Sequence, residues 1–313
     1  MQKIAVIILY FGSFPSNFNI FLKSCSKNEN VDFLIITDND IQVRDLNIKI
    51  HQMEFAQFKS MIQQSFDFPI VLEHPYKLCD YKPAYGRVLQ EWIQDYDFWG
   101  YCDIDLIFGR IDKFLTDAIL NEYDQIYSRG HFTLYRNNET NNGRFMVDQG
   151  MDYQKVFTSN RIFFFDEQGV PEKFDLLQVP RYAGNDFIDV DPWRFRLTDV
   201  FEESSYHSKS QAILFEWNNG ELFKWMFDKR SGNLTKKEYI YINFQKREIM
   251  DHTNRGDRIL ITTKGLLKQQ KRGDLDKDLL LDMDKNRFWS DIKKKFDKQI
   301  FILNRRIKSY ISE

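Results

Sequence analysis

The chain has 313 residues, a formal charge of −2 and 42% hydrophobic residues, enough apolar material for one large α/β domain with additions or for two smaller ones. It lacks the basic excess of a nucleic-acid binder, and no apolar run reaches the roughly 18 residues that a membrane-spanning helix needs. Cys25, Cys79 and Cys102 form an odd set without a Cys-x-x-Cys pair, which reads as the reduced thiols of a cytoplasmic protein.

Ile4 to Tyr10 is almost continuously aliphatic, the pattern of a parallel strand covered on both faces. Met1 to Phe11 has no small-residue cleavage site and runs into Gly12-Ser-Phe-Pro-Ser16, so it reads as a strand and not as a signal segment. Ser16 or Asn17 caps a helix carrying Phe18, Phe21 and Leu22, and a second strand follows over Val31 to Thr37. Nucleotide-binding sheets open in this way, with ligands at the carboxyl ends of the strands. Tyr10, Phe11, Thr37 and Asp38 lie at those ends and are candidates for the nucleoside of a donor; Asp38 as a turn cap is the alternative. Ile48 to Met53 reads as a strand and Glu54 to Phe66 as an amphipathic helix. Pro83 suits the first turn of a helix that continues to Gln94.

Asp97 to Gly109 is an apolar and aromatic run interrupted by Asp103 and Asp105. Residues i and i+2 of a strand share a face, so both carboxylates project together from the strand's end. Left alone they repel and raise one another's pKa, whereas a hard divalent ion relieves the repulsion and keeps positions open for a diphosphate. The same spacing recurs at Asp38/Asp40, Asp189/Asp191, Asp274/Asp276, Asp276/Asp278 and Asp282/Asp284. The last three fall in the charged stretch Lys271 to Lys285 and read as a solvated helix face or loop; the first two remain competitors.

Tyr76-Lys-Leu-Cys-Asp80-Tyr-Lys82-Pro-Ala-Tyr-Gly86, a helical stretch, and then Tyr96-Asp-Phe-Trp-Gly-Tyr-Cys-Asp103-Ile-Asp105-Leu-Ile-Phe-Gly109 together resemble the core of bacterial glycosyltransferases with the GT-A fold. The likeness is to an uncharacterised type found in capsule and surface-polysaccharide gene clusters. It runs from about residue 5 to about 250 and is strongest between 76 and 136. The resemblance implies an α/β fold with a Rossmann-type, mostly parallel central sheet flanked by helices, and a C-terminal helical extension. It makes Asp103 and Asp105 the motif for Mn²⁺ or Mg²⁺ bridging the donor diphosphate, and sets Asp80 and Lys82 near the donor base, ribose or diphosphate.

Ile111 to Leu120 has a helical pattern and Asp124 to Tyr127 a strand pattern. Gly130 to Arg136 alternates like a strand that the resemblance sets beside the acceptor pocket. His131 and Arg136 would bind sugar hydroxyls or phosphate there; a hydrogen-bonded structural histidine is the alternative. Arg161 to Gly169 reads as an aromatic strand ending at a turn with Asp166 and Glu167. An inverting transferase needs a base at the acceptor hydroxyl. Asp166 and Glu167 are the candidates, although turns also favour acids for solvation. Asp189 and Asp191 are the second pair on the acceptor side. Ala212 to Trp217, Asn218-Asn-Gly220 and Glu221 to Phe227 form a hairpin signal.

Glu238 to Arg247 is the second piece of the resemblance. A late strand of such enzymes commonly delivers a histidine to the metal, and basic residues beyond it neutralise the diphosphate. The matching position is Asn243, whose amide is a weaker ligand, and His252 could substitute. Lys246 and Arg247 would be phosphate clamps or a solvated pair at a strand's end. Over Phe288 to Ile311, Trp289, Ile292, Phe296, Ile300, Leu303, Ile307 and Tyr310 recur at helical spacing among lysines and arginines. Such a helix lies on an anionic membrane or docks on protein.

The expectation is a catalytic domain over 1–265, with a nucleotide-sugar and metal half (1–110) and an acceptor half (111–265), and a basic tail over 266–313. Its function would be metal-dependent transfer of a sugar from a UDP-linked nucleotide donor to a hydroxyl of a growing, lipid-linked surface glycan, at the inner face of the cytoplasmic membrane. The same carboxylates would serve a metal-dependent nucleotidyltransferase or phosphodiesterase. The aromatic content (29 Phe, 15 Tyr, 6 Trp) and Asn243 would suit a non-catalytic carbohydrate-binding protein; core packing accounts for most of these rings.

Overall fold

The computed structural model describes residues 2–201, 210–245, 247, 249–253, 256–270, 273–284 and 288–311. Two compact units are assembled from discontinuous stretches. The first comprises Met1–Phe14, Cys25–Leu106 and Ile111–Asn185; the second comprises Pro15–Ser24, Ile107–Arg110 and Asp186–Glu313.

In the first unit, β1 (Ile4–Tyr10), β2 (Val31–Thr37), β3 (Ile48–Gln52) and β4 (Phe98–Cys102) lie side by side in the order β3-β2-β1-β4. All are parallel, with Tyr10 opposite Thr37 and Ile4 opposite Phe98. Strand Phe132–Arg136 then runs antiparallel to β4, and the short strands Gln125–Ile126 and Arg181–Tyr182 complete a seven-stranded sheet. The expected mostly parallel α/β sheet is therefore what the chain forms. β1 and β2 are buried on both faces, which is why their sequences show no alternation. One face packs Ala5, Ile7, Leu34 and Ile36 against Phe58, Ile62, Tyr81 and Tyr85. Helix Phe55–Gln64 supplies two of these, and its amino end is closed by a capping box between Glu54 and Gln57.

Three local expectations need correction. The helix expected from Pro83 to Gln94 is a succession of short turns of helix and not one helix. Ile111 to Leu120 divides into Ile111–Phe114 and Asp117–Glu122. Residues 161–169 form no strand: the chain turns left-handed at Phe164 and continues as a π-helical turn over Phe165–Gly169 into helix Val170–Leu176. The reason is Asp80. Its buried carboxylate accepts the backbone N–H groups of Phe163 and Phe165 at 2.9–3.2 Å, taking the bonds that a sheet partner would otherwise supply.

The second unit contains a six-stranded sheet and a three-stranded one. Its hairpin pairs Gln211–Asn218 with Glu221–Asp228. Asn219 and Gly220 both have positive φ, as a two-residue turn with the twist of its strands requires. Helices Lys277–Met283 and Phe288–Ile311 follow. Asp276 caps the first of these through the Leu279 N–H. Asp284 is no solvated acid: it is buried against the Arg196 guanidinium and accepts the Ile213 N–H at 2.7 Å. Among the described residues no helix is long and apolar enough to cross a membrane.

Asp80 also receives the buried Lys77 ammonium at 2.8 Å. Asp80→Ala would leave that cation uncompensated, and urea unfolding should register a loss of about 3–5 kcal/mol. The half-exposed Lys49–Asp32 pair provides the contrast, since Asp32→Ala should cost about 1 kcal/mol or less. Equal losses at the two positions would contradict this assignment.

Candidate functional site

The carboxyl ends of β1, β2 and β4 lie along one edge of the sheet, because the three strands are parallel and in register. The neighbouring strand is reversed, so its beginning, Gly130 and His131, falls at the same edge. There the Asp103 N–H donates to the His131 carbonyl at 3.0 Å. Lys82 arrives at this edge from the succession of short helical turns. Tyr81, Ala84 and Tyr85 around it are anchored in the core, and the Tyr81 hydroxyl donates to the carbonyls of Val71 and Phe157.

Lys82 Nζ makes three contacts: Asp103 Oδ1 at 2.7 Å, Asp166 Oδ2 at 3.1 Å and the Gly130 carbonyl at 2.9 Å. It also lies 5.3 Å from the centre of the Tyr101 ring. Burial opposes its charge, but Asp103 and Asp166 outweigh this and push its pKa well above the ordinary lysine value. Asp166 is only 2% exposed. Burial, resisted by Lys82 and reinforced by Asp103, raises its carboxyl to about 6. Its Oδ1 is buried and has no hydrogen-bond partner among the described residues. Glu167, next in the same turn, is exposed. Close approach of this turn depends on Gly130, which has φ +78; a Cβ there would stand 2.4 Å from Glu167 Cγ and 3.0 Å from Asp166 Oδ2. The sequence reading missed Gly130, whose one signal was a glycine directly before an alternating segment.

Asp103 keeps 42% of its side chain exposed, whereas Asp105 Oδ1 is buried. Burial first and then the Asp105 charge raise the Tyr10 phenol, so the end of β1 and the acidic motif share one electrostatic environment. The other donor candidates at this edge are engaged locally. Asp38 accepts the Gly12 N–H at 2.9 Å and an amide hydrogen of Asn39, the turn-cap role named as its alternative. Thr37 is buried with its hydroxyl bonded to Asn39, and Phe11 packs on Phe55 and Phe58. Asp80 is fully buried and organises the 163–165 backbone, which leaves it no face for a donor.

On the acceptor side, burial lowers the His131 pKa to about 3, so the imidazole is neutral at physiological pH and brings no charge to a phosphate. Arg136 bonds Asp124 and the carbonyls of Leu120, Asn121 and Tyr123, capping helix Asp117–Glu122. In the second unit, Asn243 donates to Asp189 Oδ1 at 2.8 Å and accepts the Gln245 N–H, so both ends of its amide are taken. Asp191 accepts the Trp193 N–H. Arg247 donates to the carbonyls of Arg194 and Phe195, and burial lowers its pKa. Lys246 lies outside the described residues. Of the predicted residues, the structure thus brings together Lys82, Asp103, Asp166, Glu167 and His131, with Tyr10 and Asp105 alongside.

At the opposite, amino-terminal edge of the sheet is a cavity of about 610 Å³ lined by Asp32, Lys49, Trp92 and Tyr96 among others. Lys49 and the Tyr96 hydroxyl both donate to Asp32, at 2.8 and 2.6 Å.

A family model described as "Family of unknown function (DUF6625)" matches residues 6–270. No curated protein matches the chain. Among solved structures, the apo-form glycosyltransferase GlyE of Streptococcus pneumoniae TIGR4 is similar at 14% identity and a TM-score of 0.34, over 58% of this chain. The match spans 45% of the GlyE chain, less than half of its length.

The raised carboxyl of Asp166 has a signed consequence. The folded chain favours its protonated form, so stability from this group is fully present below its unfolded value near 4 and is lost as pH rises through about 6. Asn mimics the protonated acid. Relative to wild type, Asp166→Asn should therefore gain up to about 3 kcal/mol in urea unfolding between pH 4 and pH 7. A pH-independent difference would mean that Asp166 titrates normally.

Proposed function

This chain belongs to the DUF6625 family of unknown function, and from its site we propose that it is a metal-dependent glycosyltransferase. The donor is a nucleotide-diphospho-sugar, UDP-linked, and the acceptor is a hydroxyl of a lipid-linked surface glycan. The observation that carries this reading is the grouping of Asp103, Asp166 and Lys82 at the carboxyl edge of a parallel sheet, with Asp105 close enough to raise the Tyr10 phenol at the end of β1.

Charge balance supports the metal. Lys82 brings one positive charge to two carboxylates, Asp103 and Asp166, with Asp105 two residues on, and a nucleoside diphosphate brings further negative charge to the same edge. A divalent cation removes that conflict, and the donor set fits a hard one, since Asp103 and Asp105 offer carboxylate oxygens suited to Mn²⁺ or Mg²⁺. Among the described residues no three His, Cys, Asp or Glu side chains gather as a cage. An ion there would accordingly complete its shell with diphosphate and water, a common arrangement for Mg²⁺. When bound, the ion offsets charge developing on the leaving diphosphate.

The chain's own residues do the rest. Asp103 and Asp105 hold the cation. Lys82 fixes the Asp103 carboxylate and adds a positive charge beside the diphosphate. Asp166 holds Lys82 from behind and, with a carboxyl near 6, makes the strength of that hold depend on pH. Glu167, exposed on the same turn, is the carboxylate an acceptor hydroxyl can reach as a base. A second reading, carbohydrate binding without turnover, draws on the Trp92 and Tyr96 cavity, since aromatic faces beside bonded polar groups suit sugars.

A panel of sugar nucleotides assayed with Mn²⁺ or Mg²⁺ tests the proposal. Wild type should release the nucleoside diphosphate. Asp105→Asn should lose on the order of a hundredfold or more in turnover while keeping its melting temperature, and Asp103→Asn, which also removes a charge from the buried Lys82 ammonium, should lose as much turnover together with some stability. Pyrophosphate as the product would indicate a nucleotidyltransferase instead. Glycan binding that depends on Trp92, without turnover of any donor, would favour the second reading.

A further inference from the structure

Helix Phe288–Ile311 leaves an apolar stripe exposed between Trp289 and Leu303. Ile292, Phe296, Ile300 and Leu303 follow i, i+4, i+8, i+11 spacing and share one face. All four are exposed, Phe296 at 65% and Leu303 at 57%, and Trp289 continues the stripe at 78%. The side that contacts the rest of the second unit is another one, where Phe301, still 53% exposed, sets its ring 5.2 Å from that of Trp193. Lys294, seven residues earlier and hence on the same face as Phe301, is half-buried, with its pKa lowered by burial and by Arg247. An amphipathic helix that docked to fill its own core would do the reverse, burying the stripe and exposing the lysine. Exposed apolar stripes of this extent mark interaction surfaces.

Charge selects the occupant. The helix carries seven lysines and arginines against two aspartates, and Lys293 and Lys295 are exposed close to the stripe. A second copy of the helix would bring like charge against like along its whole length, which costs free energy. A surface of anionic lipid offers an apolar boundary and negative charge together. We propose that Phe288–Ile311 binds in the plane of an anionic membrane through Ile292, Phe296, Ile300 and Leu303, with its lysines on lipid headgroups. Its basic residues prevent it from spanning. This inference stands apart from the catalytic reading, and its test uses no turnover.

The full chain is sedimented with vesicles of phosphatidylcholine containing roughly one-third phosphatidylglycerol at low salt, where charge attraction is least screened. Wild type should pellet with these vesicles, stay in solution with pure phosphatidylcholine, and be released as salt rises. Replacing Lys293, Lys295 and Lys298 by Gln should weaken the association by on the order of a hundredfold. Ile292→Ser with Phe296→Ser should abolish it while leaving the melting temperature and the monomer mass unchanged. Wild type that fails to pellet with anionic vesicles at low salt overturns the proposal. So does a melting temperature several degrees lower in the serine variant, which would mean that the stripe packs inside the protein. A concentration-dependent dimer lost in that variant would assign the stripe to a second copy and likewise overturns it.

Discussion

The candidate site depends on one ammonium group held between two carboxylates. Lys82 Nζ reaches Asp103 at the end of β4, Asp166 in the π-helical turn and the Gly130 carbonyl ahead of the reversed strand. Three separate stretches of chain are tied to that nitrogen. Without it, Asp166 would be a buried acid facing a second carboxylate, which drives a proton onto one of the two. With it, Asp166 remains ionisable near neutrality, and the edge of the sheet carries a graded charge distribution in place of a repulsive cluster.

Placing this group takes much of the fold. Tyr81 and Tyr85 hold the backbone of Lys82 in the core, and Asp80 beside it faces the other way, neutralising Lys77 and fixing the 163–165 backbone that leads into Asp166. Residues two positions apart therefore divide the work, Asp80 building the loop and Lys82 facing the site. Gly130 completes the arrangement because only a residue without a Cβ lets the 166–167 turn close over the strand.

What was legible in the sequence was local. The aliphatic run Ile4 to Tyr10 fixed a strand buried on both faces, and Asn219-Gly220 fixed a hairpin, because each pattern has few alternatives at short range. The 161–169 stretch was misread because aromatic residues favour strands by propensity, while the carboxylate that bends this backbone lies more than eighty residues away in Asp80. Asp284 was misread because a charged run looks solvated until Arg196, 88 positions earlier, is brought against it. Arg136 and Asn243 had the right chemistry for ligands, but only the fold shows that helix carbonyls and Asp189 occupy them. Partners distant in sequence decide which polar residues are free for function.

If Asp103 and Asp105 form a cation–diphosphate site, the binding of cation and diphosphate is linked. Titration of UDP calorimetrically, in Mn²⁺ and again in EDTA, measures the coupling between the two ligands, which must be equal in both directions. A cation–diphosphate site there requires UDP affinity at least tenfold higher with Mn²⁺, a reciprocal gain in Mn²⁺ affinity with UDP, and loss of both in Asp105→Asn. UDP that binds wild type equally well in EDTA, or coupling that survives in Asp105→Asn, would contradict it.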